Sequence, residues 1–280
     1  MPPTAPTDRP SLHGMLPEDL HAYLVSCDAP STITDARRVL AHVLSDGQDD
    51  LTTKRQLPRR TREAVDALTT RTLPEVVERH GGAVGENVGP DEASERVLLR
   101  FADGRLAEFV RIPLLKPGCF TICLSSQVGC AMKCDFCATG RLGLGRNLTA
   151  AEIVGSFLVA RAHAQAAGGR VTGVVFMGQG EPFHNYEAVI QAARILSDPC
   201  GARIDAAAIS ISTVGLVPQI RRYTAEGHKF RLVVSLTSAV PEKRNHHWRE
   251  MISEILDMSD AEMDRIQAFS EKRLGIEERT

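Results

Sequence analysis

Residues 119–137 read CFTICLSSQVGCAMKCDFC, and the reading of this stretch decides the fold. Its first part, Cys119 to Ser125, is a short apolar run placed after the chain breakers Pro113 and Pro117-Gly118, which predicts a buried strand. Its second part puts Cys130, Cys134 and Cys137 on one loop with the spacing CxxxCxxC. Outward from there, strands and helices alternate. Thr149 with Glu152 three residues later opens a helix as a capping box, and Gly168-Gly169 ends it. Val171 to Met177 reads as strand, Tyr186 to Leu196 as helix, Ala207 to Ser212 as strand, Val217 to Ala225 as helix and Phe230 to Leu236 as a fourth strand. Repeated βα units with nearly continuous apolar strands place the chain in the α/β class, with a parallel sheet covered by helices. Four strands do not close a barrel, so an edge remains for a helical tail or another subunit to cover.

Upstream, Val97 to Ala102 and Arg105 to Ile112 flank Asp103-Gly104, a pair suited to a type I′ turn, and predict a β-hairpin. Leu16 to Val25, Thr34 to Leu44 and Leu57 to Leu68 carry helical spacing, so the first 80 residues read as a small helical accessory module behind a disordered Pro- and Thr-rich arm. Downstream, residues 241–280 read as a polar helical tail. The expected organisation is therefore 1–80 helical module, 81–117 hairpin lead-in, 118–240 βα unit and 241–280 tail.

With 280 residues, 43% of them hydrophobic and 24% charged, the chain can bury one sizeable core and a small accessory domain. The sequence shows no apolar run of about 18 residues and no signal-peptide pattern at its start, so the expectation is a cytoplasmic protein without a membrane partner. A net charge of -2 gives no whole-molecule attraction to nucleic acid, so contact with RNA would have to come from local basic surface. Candidates are Lys54, Arg55, Arg59, Arg60 and Arg62, and a rim of Arg221, Arg222, Lys229, Lys243, Arg244 and Arg249; a solvated helix face is the alternative for the first group. His246-His247-Trp248 reads as a solvated helix start with one amphipathic aromatic.

Five of the seven cysteines fall between residues 119 and 137, which in a reducing compartment points to metal or thiol chemistry rather than to disulfides. Three thiolates at this spacing can each bind a different iron of a [4Fe-4S] cubane and leave the fourth iron without a protein ligand. Such an iron can chelate the amino and carboxylate groups of a methionine and hold the sulfonium of S-adenosylmethionine (SAM) beside the cluster. A zinc site is the alternative, with Cys119 or Cys123 completing the set. The turn Gly178-Gln179-Gly180-Glu181-Pro182, directly after a predicted strand, lets the backbone approach a ligand closely, and Glu181 can accept from an ammonium group. Ser212 and the segment Ser235, Leu236 and Thr237 end the third and fourth strands, on the side where ligands bind in such folds.

The run SSQVGCAMKCDFCATG, the GQGEP turn and the segment Ser210 to Pro218 together resemble the RlmN/Cfr family of radical SAM adenine methyltransferases, over about residues 82 to 245. The resemblance implies a partial (βα) barrel, one [4Fe-4S] cluster and SAM as cofactors, and methylation of adenine in 23S rRNA, in some members also in tRNA. Electrons would come from a donor such as flavodoxin or ferredoxin. Carried over residue by residue, Cys130, Cys134 and Cys137 would bind the cluster. Gly180, Glu181, Ser212 and Ser235 to Thr237 would bind SAM, Glu108 matches the proposed proton acceptor, and Cys123 matches the cysteine that resolves the protein–RNA adduct. The chain departs from the pattern in one region. No cysteine follows Cys200, position 237 is Thr where many members have His, and the later strands, SAM-binding asparagine and methyl-carrying cysteine of the family have no counterpart in Glu242 to Thr280. The expectation is a shortened or diverged C-terminal part in which methyl transfer lacks its usual carrier.

Overall fold

The computed structural model describes residues 9–45, 47, 49–53, 56–82, 93–134 and 136–236. The N-terminal arm, Lys54, Arg55, Thr237, the His246-His247-Trp248 patch, Lys243, Arg244, Arg249 and the expected tail 241–280 lie outside these residues. Three short helices come first: α1 (Pro17–Ser26), α2 (Ile33–Leu40) and α3 (Arg59–Leu68). Their apolar faces meet through Leu20, Leu24, Ala36, Val39, Leu40 and Val65, all buried.

One seven-stranded sheet follows. Its strands are β1 (Glu75–Gly81), β2 (Glu95–Arg100), β3 (Leu106–Pro113), β4 (Cys119–Leu124), β7 (Arg170–Phe176), β8 (Ile209–Thr213) and β9 (Arg231–Val234), in that spatial order. β5 (Gln127–Gly129) and β6 (Leu144–Asn147) form a separate antiparallel ribbon. β4, β7, β8 and β9 are parallel to one another, as the βα pattern predicts. The hairpin β2–β3 is not a separate lead-in, because β3 pairs antiparallel with β4 and extends the same sheet. β1 is a second departure. The sequence reading places Glu75–Gly81 in the helical module, yet it pairs with β2 as the outermost strand. All seven of its residues are exposed, so no alternation of apolar and polar residues marked it, and its charged Glu75, Glu78 and Arg79 suit an edge that must not pair with other chains.

The hairpin turn also differs from the expected type. Gly104 N–H donates to the Phe101 carbonyl at 2.9 Å and Phe101 N–H to the Arg105 carbonyl at 2.9 Å, and Gly104 has φ +81°. Asp103 keeps a negative φ, so the loop has three residues and closes with glycine as a bulge rather than as a two-residue type I′ turn.

Helices α4 (Ala150–Ala166), α5 (Tyr186–Ser197) and α6 (Val217–Glu226) connect the parallel strands. α4 opens with the predicted capping box: Thr149 Oγ1 accepts from Glu152 N–H at 3.2 Å and Glu152 Oε2 accepts from Thr149 N–H at 2.8 Å. Nine α4 residues are buried, because the helix lies between β3, β4 and β7 on one side and α5 and the turn Leu12–Gly14 on the other. A helix covered all round needs no polar stripe. The apolar residues of the N-terminal helices and of the sheet form one continuous core, centred on Phe109, Ile122, Phe157, Phe176 and Phe183. Strand alternation sends Glu108, Val110, Cys123, Val175, Ser210 and Ser212 to the opposite face, where only part of the surface is covered.

Candidate active site

The functional face is assembled at the carboxyl ends of β4, β7 and β8. The ribbon β5–β6 closes the cysteine loop at its base, where Cys130 N–H donates to the Gly143 carbonyl at 3.0 Å. Within the loop Cys137 N–H reaches the Cys134 carbonyl at 3.0 Å, and Met132 N–H points at Cys130 Sγ at 3.4 Å. Cys130, Cys134, Cys137, Gly180, Glu181, Ser212 and Ser235 all line one cavity of about 360 Å³. Met132, Phe136, Phe176 and Met177 supply its apolar walls.

Gly180 is held at φ +97°, and a Cβ there would lie 2.5 Å from Gln127 Cβ and 2.8 Å from Ser126 Oγ. Only glycine fits both the conformation and the space. Glu181 is buried, at 3% exposure, and its two oxygens accept from Phe183 N–H and Val214 N–H, each at 2.9 Å. The carboxylate therefore clamps the end of β7 to the end of β8 while lining the cavity, where its charge suits a cationic guest. Burial pushes its pKa up, while the two backbone donors and Thr213 pull it down, and burial prevails. Ser212 and Ser235 bond each other through their hydroxyls at 3.1 Å across β8 and β9.

The remaining expected residues stand apart. Leu236 is 59% exposed and does not line the cavity, and Thr237 lies outside the described residues. Glu108 and Cys123 share the sheet face opposite the core but not the cavity wall. Cys123 sits one layer below it, with the backbone N–H of the wall residue Met177 directed at its sulfur. Burial first, and then the negative charge of Glu108, push the Cys123 thiol up to about 11. Glu108 also lies 3.9 Å from Arg96 across the β2–β3 pair.

The donor set fits a cationic iron–sulfur cluster. Burial and the neighbouring Cys134, Glu181 and Cys137 push the Cys130 thiol up to about 11, so crowded thiolates need a cation to coexist there. Among the described residues no three His, Cys, Asp or Glu side chains converge on a single metal position. Zinc needs its sulfurs about 3.8 Å apart around one ion, whereas a cubane spreads them over separate irons. Nor do the cysteines proposed to complete a zinc set help. Cys119 starts β4, about 16 Å along the strand from Leu124, and neither it nor Cys123 lines the cavity. SAM would meet Gly180, Glu181, Ser212 and Ser235 on the facing wall.

The sequence reading quoted Ser125, Ser126 and Gln127 only as a signature and did not single out Asn185. Ser125 Oγ donates to the Glu108 carbonyl at 2.6 Å and accepts from Gln179 N–H at 2.9 Å. Asn185 Nδ2 donates to the Ser126 and Leu148 carbonyls at 2.8 and 2.7 Å. Small polar residues buried directly before a ligand loop were the available signal. Of the expected basic surface, Arg59 pairs with Glu63, Arg62 donates to the Thr52 carbonyl, and Arg222 pairs with Glu187 and Glu226 while stacking on Tyr186 at 4.2 Å. These guanidinium groups brace the fold.

Comparison with known proteins agrees with this geometry. The radical SAM superfamily profile matches residues 124–265. A probable RNA methyltransferase of Anaeromyxobacter sp. (strain Fw109-5) is 50% identical over 213 residues, covering 76% of this chain and 60% of that protein. A probable dual-specificity RNA methyltransferase RlmN of Moorella thermoacetica is 39% identical over 244 residues, covering 85% of this chain and 66% of that protein. The chain thus spans less than two thirds of the length of these relatives. The crystal structure of a radical SAM methyltransferase from Sphaerobacter thermophilus superposes with a TM-score of 0.72 at 32% identity, over 88% of this chain and 68% of that one.

Proposed function

Because this chain belongs to the radical SAM superfamily, with the RlmN-type enzymes inside it, we propose that it binds a [4Fe-4S] cluster and SAM and acts in methylation of an RNA adenine. The substrate in this reading is 23S rRNA, with tRNA as a second target, in the cytoplasm, and a flavodoxin or ferredoxin supplies electrons. One observation carries it: the three loop cysteines and the four SAM candidates Gly180, Glu181, Ser212 and Ser235 line the same cavity. No helix among the described residues is long and apolar enough to cross a membrane.

When bound, the cluster and SAM supply one-electron cleavage of a sulfonium and hence radical chemistry at carbon. The chain's own residues do the rest. Cys130, Cys134 and Cys137 would hold the irons of the cluster, and all three line the cavity in which a small molecule would bind. Glu181 offers its carboxylate to an ammonium group, and Ser212 and Ser235 offer hydroxyls; the family resemblance adds Leu236 and Thr237 as further SAM contacts. Met132, Phe136 and Phe176 exclude water from the reacting end. With its thiol pushed up to about 11 by burial, Cys123 would need a base to resolve an RNA adduct, and also a methyl-carrying cysteine, for which residues 242–280 offer no counterpart. Glu108, whose charge reaches it, serves as that proton acceptor.

Anaerobic reconstitution with iron and sulfide, followed by SAM and a one-electron reductant, should yield 5′-deoxyadenosine. Substituting any one of Cys130, Cys134 and Cys137 by Ser should abolish it together with the bound iron. Addition of rRNA fragments should give a mass gain of one methylene on an adenine. An intact cluster that leaves SAM uncleaved would overturn the reading; cleavage without any mass gain would remove the RNA part of it.

A further inference from the structure

The SAM-facing turn is gripped from the cysteine loop by a chain of two side-chain amides, the buried Gln127 and the exposed Asn147. Glu181 N–H donates to Gln127 Oε1 at 2.9 Å, and Gln127 Nε2 donates to Asn147 Oδ1 at 2.7 Å. Asn147 Nδ2 makes a longer contact, 3.5 Å, to the His184 carbonyl. The direction of this chain is fixed chemically. A backbone N–H can only donate, so the oxygen of Gln127 must face Glu181 and its nitrogen must face Asn147. Gln127 and Asn147 are cross-strand partners in the β5–β6 ribbon that closes the cysteine loop. The chain therefore leaves the segment 181–184, crosses the base of the metal loop and returns to the same segment.

Gln127 is also the residue that shapes the turn from above. It is fully buried, its Cβ and Cγ occupy the space where a side chain at Gly180 would go, and its own N–H donates to the Gln179 carbonyl at 3.2 Å. It thus touches residues 179, 180 and 181 in succession while standing three positions before Cys130. One side chain holds two residues of the SAM wall, from a strand that runs directly into the cysteine loop.

We propose that Gln127 is a positioning residue that sets the distance between the cluster loop and the Gly180–Glu181 wall, and so sets SAM affinity, with Asn147 as the outer link. The inference rests on the cluster and SAM reading given above. Loss of the tie leaves the Glu181 N–H buried without an acceptor and frees the turn to drift relative to the irons. Cluster assembly itself does not depend on it, because Gln127 bonds none of the three cysteines.

The test uses the full chain, reconstituted anaerobically. Gln127→Leu, close in volume but unable to bond, should keep the iron content and the reduced-cluster EPR signal of the unsubstituted protein in the absence of SAM. Its dissociation constant for SAM should rise by about tenfold or more, and the change that SAM induces in that signal should shrink. Asn147→Leu, at an exposed position, should weaken SAM binding by about threefold and provides a second test if Gln127→Leu does not fold. Unchanged SAM affinity and unchanged EPR response in a folded variant would overturn the positioning role while leaving the function intact. An unsubstituted protein that holds iron but binds no SAM would overturn the function, and this proposal with it.

Discussion

Cys123 keeps its proton well above neutral pH because it is sealed between β3 and β7 beside the charge of Glu108. The sign follows from linkage. The folded state retains a proton that the unfolded chain sheds near the ordinary value of 9.0, so the stability from the buried neutral thiol is full below that pH and is lost as pH rises toward about 11. Alkylation of Cys123 in the native protein, followed by peptide mass mapping, should be slow at neutral pH and accelerate by about tenfold per pH unit up to that value. A rate that levels off near pH 8 would show that the thiol is not desolvated. At this scale the sequence already singled out the three loop cysteines, Gly180 and Glu181, which the structure brings to one cavity, since spacing and residue type suffice to nominate candidate metal and backbone-approach positions. It gave no role to Gln127 or Asn185, because an amide's partners lie tens of residues away along the chain.

The elements show how local rules and packing divide the work. The capping box at Thr149 is complete within the four residues Thr149 to Glu152, and it forms where it was expected. Thr149→Ala should cost about 1 kcal/mol, read as a lower midpoint in urea with the slope unchanged. The turn after β7 is a different case, since its glycine answers to a neighbouring strand. Gly180→Ala places a methyl group within 2.5 Å of Gln127 at φ +97°. It should weaken SAM binding by more than about tenfold, because the turn must shift to relieve the clash, while bound iron stays near stoichiometric. Equal affinity in calorimetry would mean that the wall tolerates the shift. β1 was missed for the same kind of reason: a strand exposed along its whole length carries no alternation, and only its partner β2 makes it a strand.

On the scale of the molecule, a buried ion cluster joins the hairpin, the edge strand and α4. Glu95, 1% exposed, accepts from Arg79 at 2.7 Å and from the buried Arg111 at 3.0 Å, and His163 of α4 lies 3.5 Å away. Burial raises the pKa of Glu95, but the two guanidinium groups outweigh it and hold it below the ordinary carboxylate range. Glu95→Ala strands the Arg111 charge in the interior and should destabilise the protein by about 3–5 kcal/mol in equilibrium unfolding. A loss under 1 kcal/mol would mean that water reaches Arg111. The amino-acid sequence by itself determined the alternation of β4, β7, β8 and β9 with helices and the cysteine loop at their carboxyl end, because periodicity, caps and ligand spacing are properties of neighbouring residues. Tertiary structure alone decided that the hairpin joins the parallel strands in one sheet, that Glu95 gathers its partners, and that Gln127 ties the loop to the opposite wall. Each of those depends on residues far apart in the chain being brought within hydrogen-bonding distance, which no local pattern records.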